Sequence, residues 1–195
     1  MSVDTCKEQM IYEIHNPKAY LTPDATADFS KVTFRQIGEN QVRAEHATTH
    51  GRPETLKVSV GYKDCFIGEG EISYGGSNCM ARAELAAEIL EKRIELTGIE
   101  LEEYRTDFIG CNSLYRDAIS KKIGSGTPCE VRLRVAGRTK DRKNAVLLAN
   151  EVEALYTNGP AGGGGAVKRV SEIVSVCSIF VPRDAVEAKV TFREV

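Results

Sequence analysis

The amino-acid sequence predicts an α+β protein, a ferredoxin-like βαββαβ sandwich extended by N-terminal β-hairpins. Apolar residues recur with helical spacing from about Cys79 to Leu96 and again from Thr139 to about Tyr156. The stretches around these two segments alternate apolar and polar residues, as strands do. From Cys65 onward the predicted order is strand, helix, strand, strand, helix, strand. This order predicts a ferredoxin-like domain over residues 57–195. The loops and hairpins before it are predicted to form an N-terminal region over residues 1–56.

The N-terminal region is predicted from its alternation and its breaks. Alternation from Met10 to Ile14 is typical of a short strand, and Pro17 and Pro23 bracket a loop. Alternating residues on both sides of Gly38-Glu39-Asn40 predict a hairpin. After a break at Gly51-Arg52-Pro53, "TLKVSVGY" and "CFIGEGEISY" predict two strands.

The remaining elements follow from caps and spacing. In the first helix Ala81, Leu85 and Ile89 form one apolar row, and Ala86, Leu90 and Ile94 another; Ser77 or Asn78 is its expected N-cap and Gly98 its end. Thr139 is the expected cap of the second helix, whose predicted core positions are Ala145, Leu148, Ala149, Val152 and Leu155. Three strands are predicted in "TDFIGCN", "EVRLRVAGR" and "VSEIVSVCSIFVP". A glycine-rich break, "KKIGSGTP", precedes the second, and "AKVTFREV" predicts a last edge strand.

Composition excludes several classes of function. The chain has 195 residues and a formal net charge of −2, which gives no basic surface for nucleic acid or an anionic membrane. The start "MSVDTCKEQM" has no apolar core typical of a signal peptide, and the apolar stretch 173–181 is too short to cross a bilayer. We therefore expect a cytoplasmic protein with no nucleic-acid or membrane partner.

The six cysteines show no CxxC pair, and no metal site is predicted from them. We expect reduced cysteines that act mostly as buried small apolar residues, with Cys79 the one to test for reactivity. His46 and His50 would share a metal only on a helix, and their segment is predicted as a strand end and loop. The sequence leaves the cofactor unknown.

The segment "YTNGPAGGGGAVKR" (156–169) contains a run of four glycines. Nucleotide-binding glycine loops connect a strand to a following helix, because the helix N-terminus faces the phosphate. Here a helix precedes the loop and a strand follows it, which disfavours that role. Close backbone approach, to a ligand or to a partner chain, is the remaining interpretation, and it makes Asn158, Gly162, Gly163 and Gly164 candidate substrate-binding or anion-binding residues.

A second glycine turn has the opposite direction. Gly75, Gly76, Ser77 and Asn78 lie between a predicted strand and a helix, and Arg82 follows one helical turn later. Free amide groups at such a helix start bind carboxylates or phosphates. The alternative interpretation is a capped helix after a tight turn, with no ligand.

On the preceding strand, Glu69 and Glu71 share one face at roughly 7 Å separation. That spacing suits an acid–base pair, although solvent-facing glutamates give the same pattern. On the opposite face Gly68 and Gly70 replace side chains, which predicts the close approach of another backbone or of a ligand.

The candidate catalytic residues lie in the segment "HNPKAYLTPD". His15 is the best general acid–base candidate, because a loop can present it to a cleft, and Lys18, Tyr20 and Asp24 are its candidate companions. A structural role for His15 is the alternative.

Three long strings resemble one family. The strings "YEIHNPKAYLTPDATADFS" (12–30), "VSVGYKDCFIGEGEISYGG" (58–76) and "EVEALYTNGPAGGGG" (151–165) closely resemble the acyclic terpene utilisation protein A (AtuA) family, over roughly residues 10–182. The resemblance implies a cytoplasmic protein of the kind encoded beside acyl-CoA carboxylases in the breakdown of branched-chain and terpenoid acids. It implies no particular catalytic residues.

In that family the first string lies well inside a longer polypeptide, after a large α/β region. The resemblance therefore implies a small subunit, or a C-terminal-half fragment, whose partner is a larger chain that supplies the α/β region. We expect action on a small carboxylic acid or its CoA thioester. Lyase or hydratase chemistry is preferred because the sequence shows no redox or ATP motif. The segments 15–24, 75–78 and 158–165 are then expected to meet at a subunit cleft. The alternative is a non-catalytic assembly or binding subunit, favoured if these segments pack only inside this chain.

Overall fold

A computed structural model of the chain describes residues 1–123, 126 and 128–194. They form two compact units. Unit 1 comprises Met1–Gly61 together with the C-terminal segment from Val176, and unit 2 comprises Tyr62–Ser175. The predicted domain boundary after residue 56 stays a prediction.

The described residues of unit 1 form one α-helix and five short strands, together with the ends of two longer strands. Helix α1 (Val3–Ile11) begins at Ser2, whose hydroxyl accepts from the amide of Thr5 while the Thr5 side chain accepts from the Ser2 amide. The strands are β1 (Tyr20–Leu21), β2 (Thr26–Asp28), β3 (Thr33–Gly38), β4 (Gln41–Glu45) and β5 (Thr48–His50). Strands β1, β2 and β5 form one antiparallel sheet, and β3 and β4 form the predicted hairpin.

The other described residues form four longer strands and three α-helices. In chain order these are β6 (Thr55–Gly75), α2 (Cys79–Thr97), β7 (Glu103–Ile109), α3 (Arg116–Ile123), β8 (Glu130–Thr139), α4 (Arg142–Asn158) and β9 (Gly163–Pro182), followed by a 3₁₀ turn, Arg183–Ala185. The sheet order is β7-β8-β6-β9, with β8 antiparallel to both β6 and β7. Strands β6 and β9 contribute residues to both units. The predicted α+β class is confirmed.

The core of unit 2 lies between one face of this sheet and helices α2 and α4. Ile72 and Leu133 of the sheet are fully buried against Leu90 of α2 and Leu148 of α4. All five predicted core positions of α4 are buried. The α2 prediction is partly wrong, because its buried residues are Cys79, Ala83, Ala86, Ala87 and Leu90. Leu85, placed in the predicted row, is half-exposed.

Two glycines of β6 explain how closely α4 packs. A Cβ atom on Gly68 would lie 2.2 Å from the backbone oxygen of Ala145, and one on Gly70 would lie 2.5 Å from Cβ of Val152. The predicted close approach at these glycines is therefore made by a helix of the same chain. Any side chain at these positions would push α4 off the sheet.

Several local predictions are wrong. The N-cap of α4 is Asp141, whose carboxylate accepts from the amide of Lys143, because Thr139 still belongs to β8 and instead accepts from the Asp141 amide. The two strands predicted over residues 55–74 are one strand. The alternating stretch Met10–Ile14 forms no strand, because Met10 and Ile11 end α1 and residues 12–14 belong to no helix or strand.

Two predictions fall partly outside the described residues. In the glycine-rich break before β8, Lys121–Ile123 end the unpredicted helix α3, and Gly124, Ser125 and Thr127 lie outside the description. The predicted last strand is wrong for the described residues 188–194, which belong to no helix or strand, and Val195 lies outside.

The cysteines are free, and their burial differs from the prediction. Cys65 and Cys79 are buried, whereas Cys129 and Cys177 are exposed. The thiol of Cys79 donates to the carbonyl of Pro128 over 3.1 Å. Among the described helices, none is long and apolar enough to cross a membrane.

The sheet face opposite the helices carries paired charges. Glu69 bonds Arg134 at 2.9 Å, and Glu71 bonds Arg132. The carboxylate of Asp107, only 2% exposed, is bonded by Arg105, Arg116 and Arg134 at 2.8, 3.0 and 2.9 Å. Glu69 and Glu71 are thus half-buried members of ion pairs.

We predict that replacing Gly68 with alanine destabilises the protein by about 1–3 kcal/mol, because the new methyl group overlaps the α4 backbone. Urea denaturation measures this change. Gly75→Ala is the matched control on the same strand, since its Cβ would meet nothing closer than 3.9 Å. Equal stability of the two variants would contradict the packing described here.

Asp64 predicts a pH dependence of stability. Its carboxylate accepts from the Ser175 hydroxyl at 2.7 Å, from Lys140 Nζ at 3.1 Å and from Arg138 Nη2 at 2.9 Å. These contacts lower the pKa of Asp64 from its usual 3.8 to about 2. A lowered pKa in the folded state means that the carboxylate stabilises the fold above about pH 4 and loses this effect as the pH falls towards 2.

Asp64→Asn should therefore be less stable than the wild type at neutral pH, and the difference should shrink as the pH falls from 4 to 2. Urea denaturation across this range measures it. Glu187→Gln, at an exposed carboxylate paired only with Lys189 at 3.2 Å, is the control and should show little difference at any pH. A pH-independent difference for Asp64→Asn would overturn the assignment.

Candidate functional site

The loop after α1 lines a cavity of about 380 Å³ in unit 1. His15 and Tyr20, two of the four predicted catalytic residues, lie in its wall. The β6 residue Lys57 and the β9 residues Ser178 and Phe180 complete it, together with Glu13, Asn16, Ala19 and Leu21. The cavity thus combines ionisable groups with apolar walls, as small-molecule sites do.

Local sequence explains how His15 reaches this cavity. Helix α1 stops at Ile11, and Glu13 adopts a left-handed backbone conformation with φ of 58°, which is uncommon for a residue other than glycine. The side chain of Asn16 then accepts from the amide of Lys18 at 3.0 Å, and its carbonyl accepts from the amide of Ala19 at 3.1 Å. This Asn-Pro turn holds the segment between His15 and Tyr20 in a compact loop.

The side chains in the cavity have complementary chemistry. The His15 imidazole can donate or accept a hydrogen bond, and the Lys57 ammonium group can bind a carboxylate. The phenol of Tyr20 adds a hydrogen-bond donor beside them. Together they suit a small acid whose conversion needs proton transfer.

An apolar cavity of about 580 Å³ lies elsewhere in unit 1. It is lined by α1, by the hairpin and by nearby loops, through Met1, Thr5, Cys6, Gln9, Met10, Phe29, Val32, Phe34, Ala44 and Ala47. The ring of Phe29 packs against the ring of Tyr20, with centroids 5.8 Å apart. This aromatic pair links the wall of the polar cavity to the wall of the apolar one.

The other two predicted catalytic residues lie outside the described lining of the polar cavity. Lys18 is exposed, and its backbone amide closes the Asn16 turn. Asp24 is exposed and lies 3.6 Å from Arg52 Nη2. Their catalytic roles stay predictions.

In unit 2, Arg82 joins the two predicted glycine segments. Its guanidinium donates to the carbonyls of Gly75 and Ser77, the latter over 3.1 Å, and to the carbonyl of Ala161 over 2.8 Å. It also lies 5.8 Å from the centre of the Tyr74 ring. The turn before α2 and the loop before β9 are therefore held together by one side chain.

The glycine loop packs closely against its own unit. A Cβ atom on Gly162, where φ is 81°, would lie 2.7 Å from Nη1 of Arg82, and one on Gly163 would lie 2.8 Å from Cδ1 of Ile72. A Cβ atom on Gly164 would meet no atom within 4 Å. The predicted close backbone approach is thus observed at Gly162 and Gly163, and it is made to side chains of this chain.

The other predicted anion-site residues have backbone roles in this region. The amide of Gly76 donates to the carbonyl of Cys129 at 2.8 Å, and Asn78 is the N-cap of α2 in a left-handed conformation, with no side-chain capping bond. Asn158 ends α4 and lines a small cavity of about 110 Å³. Anion binding at residues 75–78 stays a prediction. The Arg82 guanidinium, which could help to hold an anion there, is already bonded to three backbone carbonyls.

Two of the three segments, 75–78 and 158–165, are connected through Arg82, and the expected meeting of all three at a subunit cleft stays a prediction. The segment 15–24 belongs to unit 1 and is described there. Among the described residues, no cluster of three or more His, Cys, Asp or Glu side chains is placed to hold a metal ion.

The sequence did not single out Lys57 or Phe29. Lys57 lies in an alternating strand and is one of 26 basic residues, so no local pattern distinguishes it. Phe29 belongs to the string "ATADFS", which has no pattern that marks it, and its role follows from its contact with Tyr20 and its place in the wall of the apolar cavity.

We predict that Arg82→Met frees the glycine loop and lowers the free energy of unfolding by about 1–3 kcal/mol, because three carbonyls lose a charged donor. Hydrogen exchange should accelerate in residues 161–165. Arg93→Met is the control on the same helix, where the arginine pairs with Glu151 at 2.9 Å. Unchanged exchange in Arg82→Met would rule out this role of Arg82.

Comparison with models of known protein families gives a match over nearly the whole chain. The family model described as acyclic terpene utilisation family protein AtuA matches residues 1–192. No curated protein and no solved structure matches the chain. The chain therefore belongs to the AtuA family of acyclic terpene utilisation proteins.

Proposed function

We propose that the chain is a small subunit, or a C-terminal-half part, of an AtuA-type enzyme that acts on a small carboxylic acid or its CoA thioester. One observation carries the proposal. His15, Tyr20 and Lys57 line the same cavity in unit 1, and an aromatic contact links that cavity to an apolar one. Polar groups beside an apolar space suit an acid with a hydrocarbon chain.

In the proposed binding mode, Lys57 binds the carboxylate or the thioester carbonyl, and the hydrocarbon part extends towards the Tyr20–Phe29 pair. Burial of an alkyl chain contributes about 0.8 kcal/mol for each CH₂ group removed from water. The polar groups then set the orientation, while the chain supplies much of the affinity.

The proposed chemistry is that of a lyase or hydratase. Addition of water to a double bond, or its removal, needs a group that gives or takes a proton at carbon. His15 is that group in this proposal, and Tyr20 holds the acyl oxygen. The enzyme works in the cytoplasm with a larger chain that supplies the family's N-terminal α/β region.

We predict that His15→Gln abolishes turnover while leaving ligand affinity nearly unchanged, and that Lys57→Met weakens carboxylate binding by roughly tenfold or more, because a charged hydrogen bond is lost. Calorimetry with carboxylic acids of increasing chain length measures affinity. Mass spectrometry of acids and CoA thioesters incubated with the co-purified larger chain measures turnover. His46→Gln, a histidine of the same unit outside both described linings, is the control.

Thermal melting of each variant separates loss of function from loss of fold. Full activity in folded His15→Gln would remove His15 from the mechanism. If the affinity for carboxylic acids does not rise with the length of their hydrocarbon chain, the apolar cavity is not part of the binding site. Isolation of the native protein as a stable lone monomer would argue against the larger partner.

A non-catalytic assembly role is the second candidate, and the Arg82 contacts favour it. Both predicted glycine segments of unit 2 are used to pack unit 2 itself. We propose the ferredoxin-like description for this unit, supported by its sheet order β7-β8-β6-β9 with helices α2 and α4 on one face. In this candidate, unit 2 docks other chains, and the acids above neither bind nor react.

A further inference from the structure

The two edge strands of the four-stranded sheet, β7 and β9, differ in how far side chains bond their outer backbone groups. Strand β7 is short, and groups on its outer edge are bonded: Asn112 Oδ1 accepts from the Phe108 amide at 2.9 Å, and Arg116 donates to the Thr106 carbonyl at 3.3 Å. Such capping prevents another strand from adding to an edge. Strand β9, the opposite edge, runs for 20 residues.

On β9 the amide of Ala166 donates to the hydroxyl of Tyr156 at 2.7 Å. In the part of the chain that the structure describes, no side chain bonds the backbone of β9 from Val167 to Ser175. Because outward-facing amides alternate along an edge strand, the Ala166 bond places the amides of Lys168, Val170 and Glu172 on the outer edge as well. This segment presents regularly spaced donors and acceptors.

The sequence of this segment is self-complementary. When two copies of "AVKRVSEIV" (166–174) run antiparallel about Val170, Lys168 of each copy lies opposite Glu172 of the other. Val167 then lies opposite Ile173, and Ala166 opposite Val174. Opposite charges and β-branched residues in directly opposed positions stabilise antiparallel pairs.

Neighbouring registers lack this match. Centring the pair on Ser171 sets Val170 against Glu172 and Lys168 against Val174, and centring it on Arg169 sets Ala166 against Glu172. The register about Val170 also covers Val167 and Val174, which are 53% and 62% exposed in the single chain.

The charges around the seam alternate in sign. Within one copy Lys168 bonds Glu153 of α4, and Glu172 bonds Lys63 at 2.9 Å. When two copies pair, Lys168 of one copy lies between its own Glu153 and Glu172 of the second copy. That Glu172 in turn lies beside Lys63 of the second copy. Each of these four charges then has an opposite charge beside it, while Arg169 lies opposite Ser171.

We propose that two copies of this chain pair through residues 166–174 of β9, antiparallel about Val170, and join their sheets into one. The interface is isologous, so the Lys168–Glu172 contact occurs twice. A two-fold axis perpendicular to the sheet keeps the helices of both copies on the same side. The inference is independent of the proposed function.

Sedimentation velocity over a concentration series tests the pairing. The wild type should form dimers, and Lys168→Glu and Glu172→Lys alone should each weaken dimerisation by roughly tenfold, because both cross-strand pairs become like-charged. An equimolar mixture of these two variants should form dimers again, since each copy then meets an opposite charge. Lys92→Glu, on α2, is the control for net charge and should dimerise like the wild type.

Val170→Pro gives a second test. Proline is tolerated on an edge strand where its missing amide faces outward, so the variant should keep the wild-type melting temperature and lose the dimer. A monomeric wild type, a dimeric Val170→Pro or a mixture without dimers would each overturn the proposal. So would a monomeric wild type whose β9 instead binds the larger chain, shown by a complex that Val170→Pro abolishes.

Discussion

The contact between α4 and the glycines of β6 is the constraint on which the arrangement of unit 2 depends. With no side chain at Gly68 and Gly70, the helix approaches the sheet backbone closely enough for Leu148 and Val152 to be fully buried. The distance of α4 from the sheet determines where the helix ends and the glycine loop begins. It also places Glu153 beside Lys168 of β9. A shift of α4 would therefore move the core, the loop and the sheet edge together.

Arg82 connects the turn before α2 to the glycine loop that follows α4. The start of α2 lies beside the loop that follows α4, and the carbonyls of Gly75, Ser77 and Ala161 converge on the Arg82 guanidinium. One planar cation with several donors can serve such carbonyls at once, which a lysine cannot do with equal geometry. Gly162 and Gly163 leave room for that side chain and for Ile72. Gly162 and Gly163 thus have a structural explanation that requires no phosphate.

Periodicity predicted α4 because its apolar positions all face one sheet, and Gly68 and Gly70 predicted close approach because strand interiors rarely lack side chains. Helix α3 could not be predicted in this way, since it is only eight residues long, and its apolar pair Ile119 and Ile123 spans a single turn and is not buried. Leu85 was assigned to the core by spacing alone, yet the small residues Ala83 and Ala87 face the sheet. The cavity residues of unit 1 come from segments distant in sequence, and Lys57 has no local pattern at all.

The polar side chains of the two units differ in how many protein contacts they make. This difference affects how easily each group could bind a ligand. In unit 2 the buried carboxylate of Asp107 has three arginine partners, and Arg82 has three carbonyl partners. Groups bonded in this way would have to break existing contacts before they could bind a ligand, at a cost comparable to the bonds lost. His15 and Lys57, by contrast, line an open cavity beside apolar walls. Both side chains are exposed, so a ligand that binds there would displace water rather than the protein contacts that hold Asp107 and Arg82.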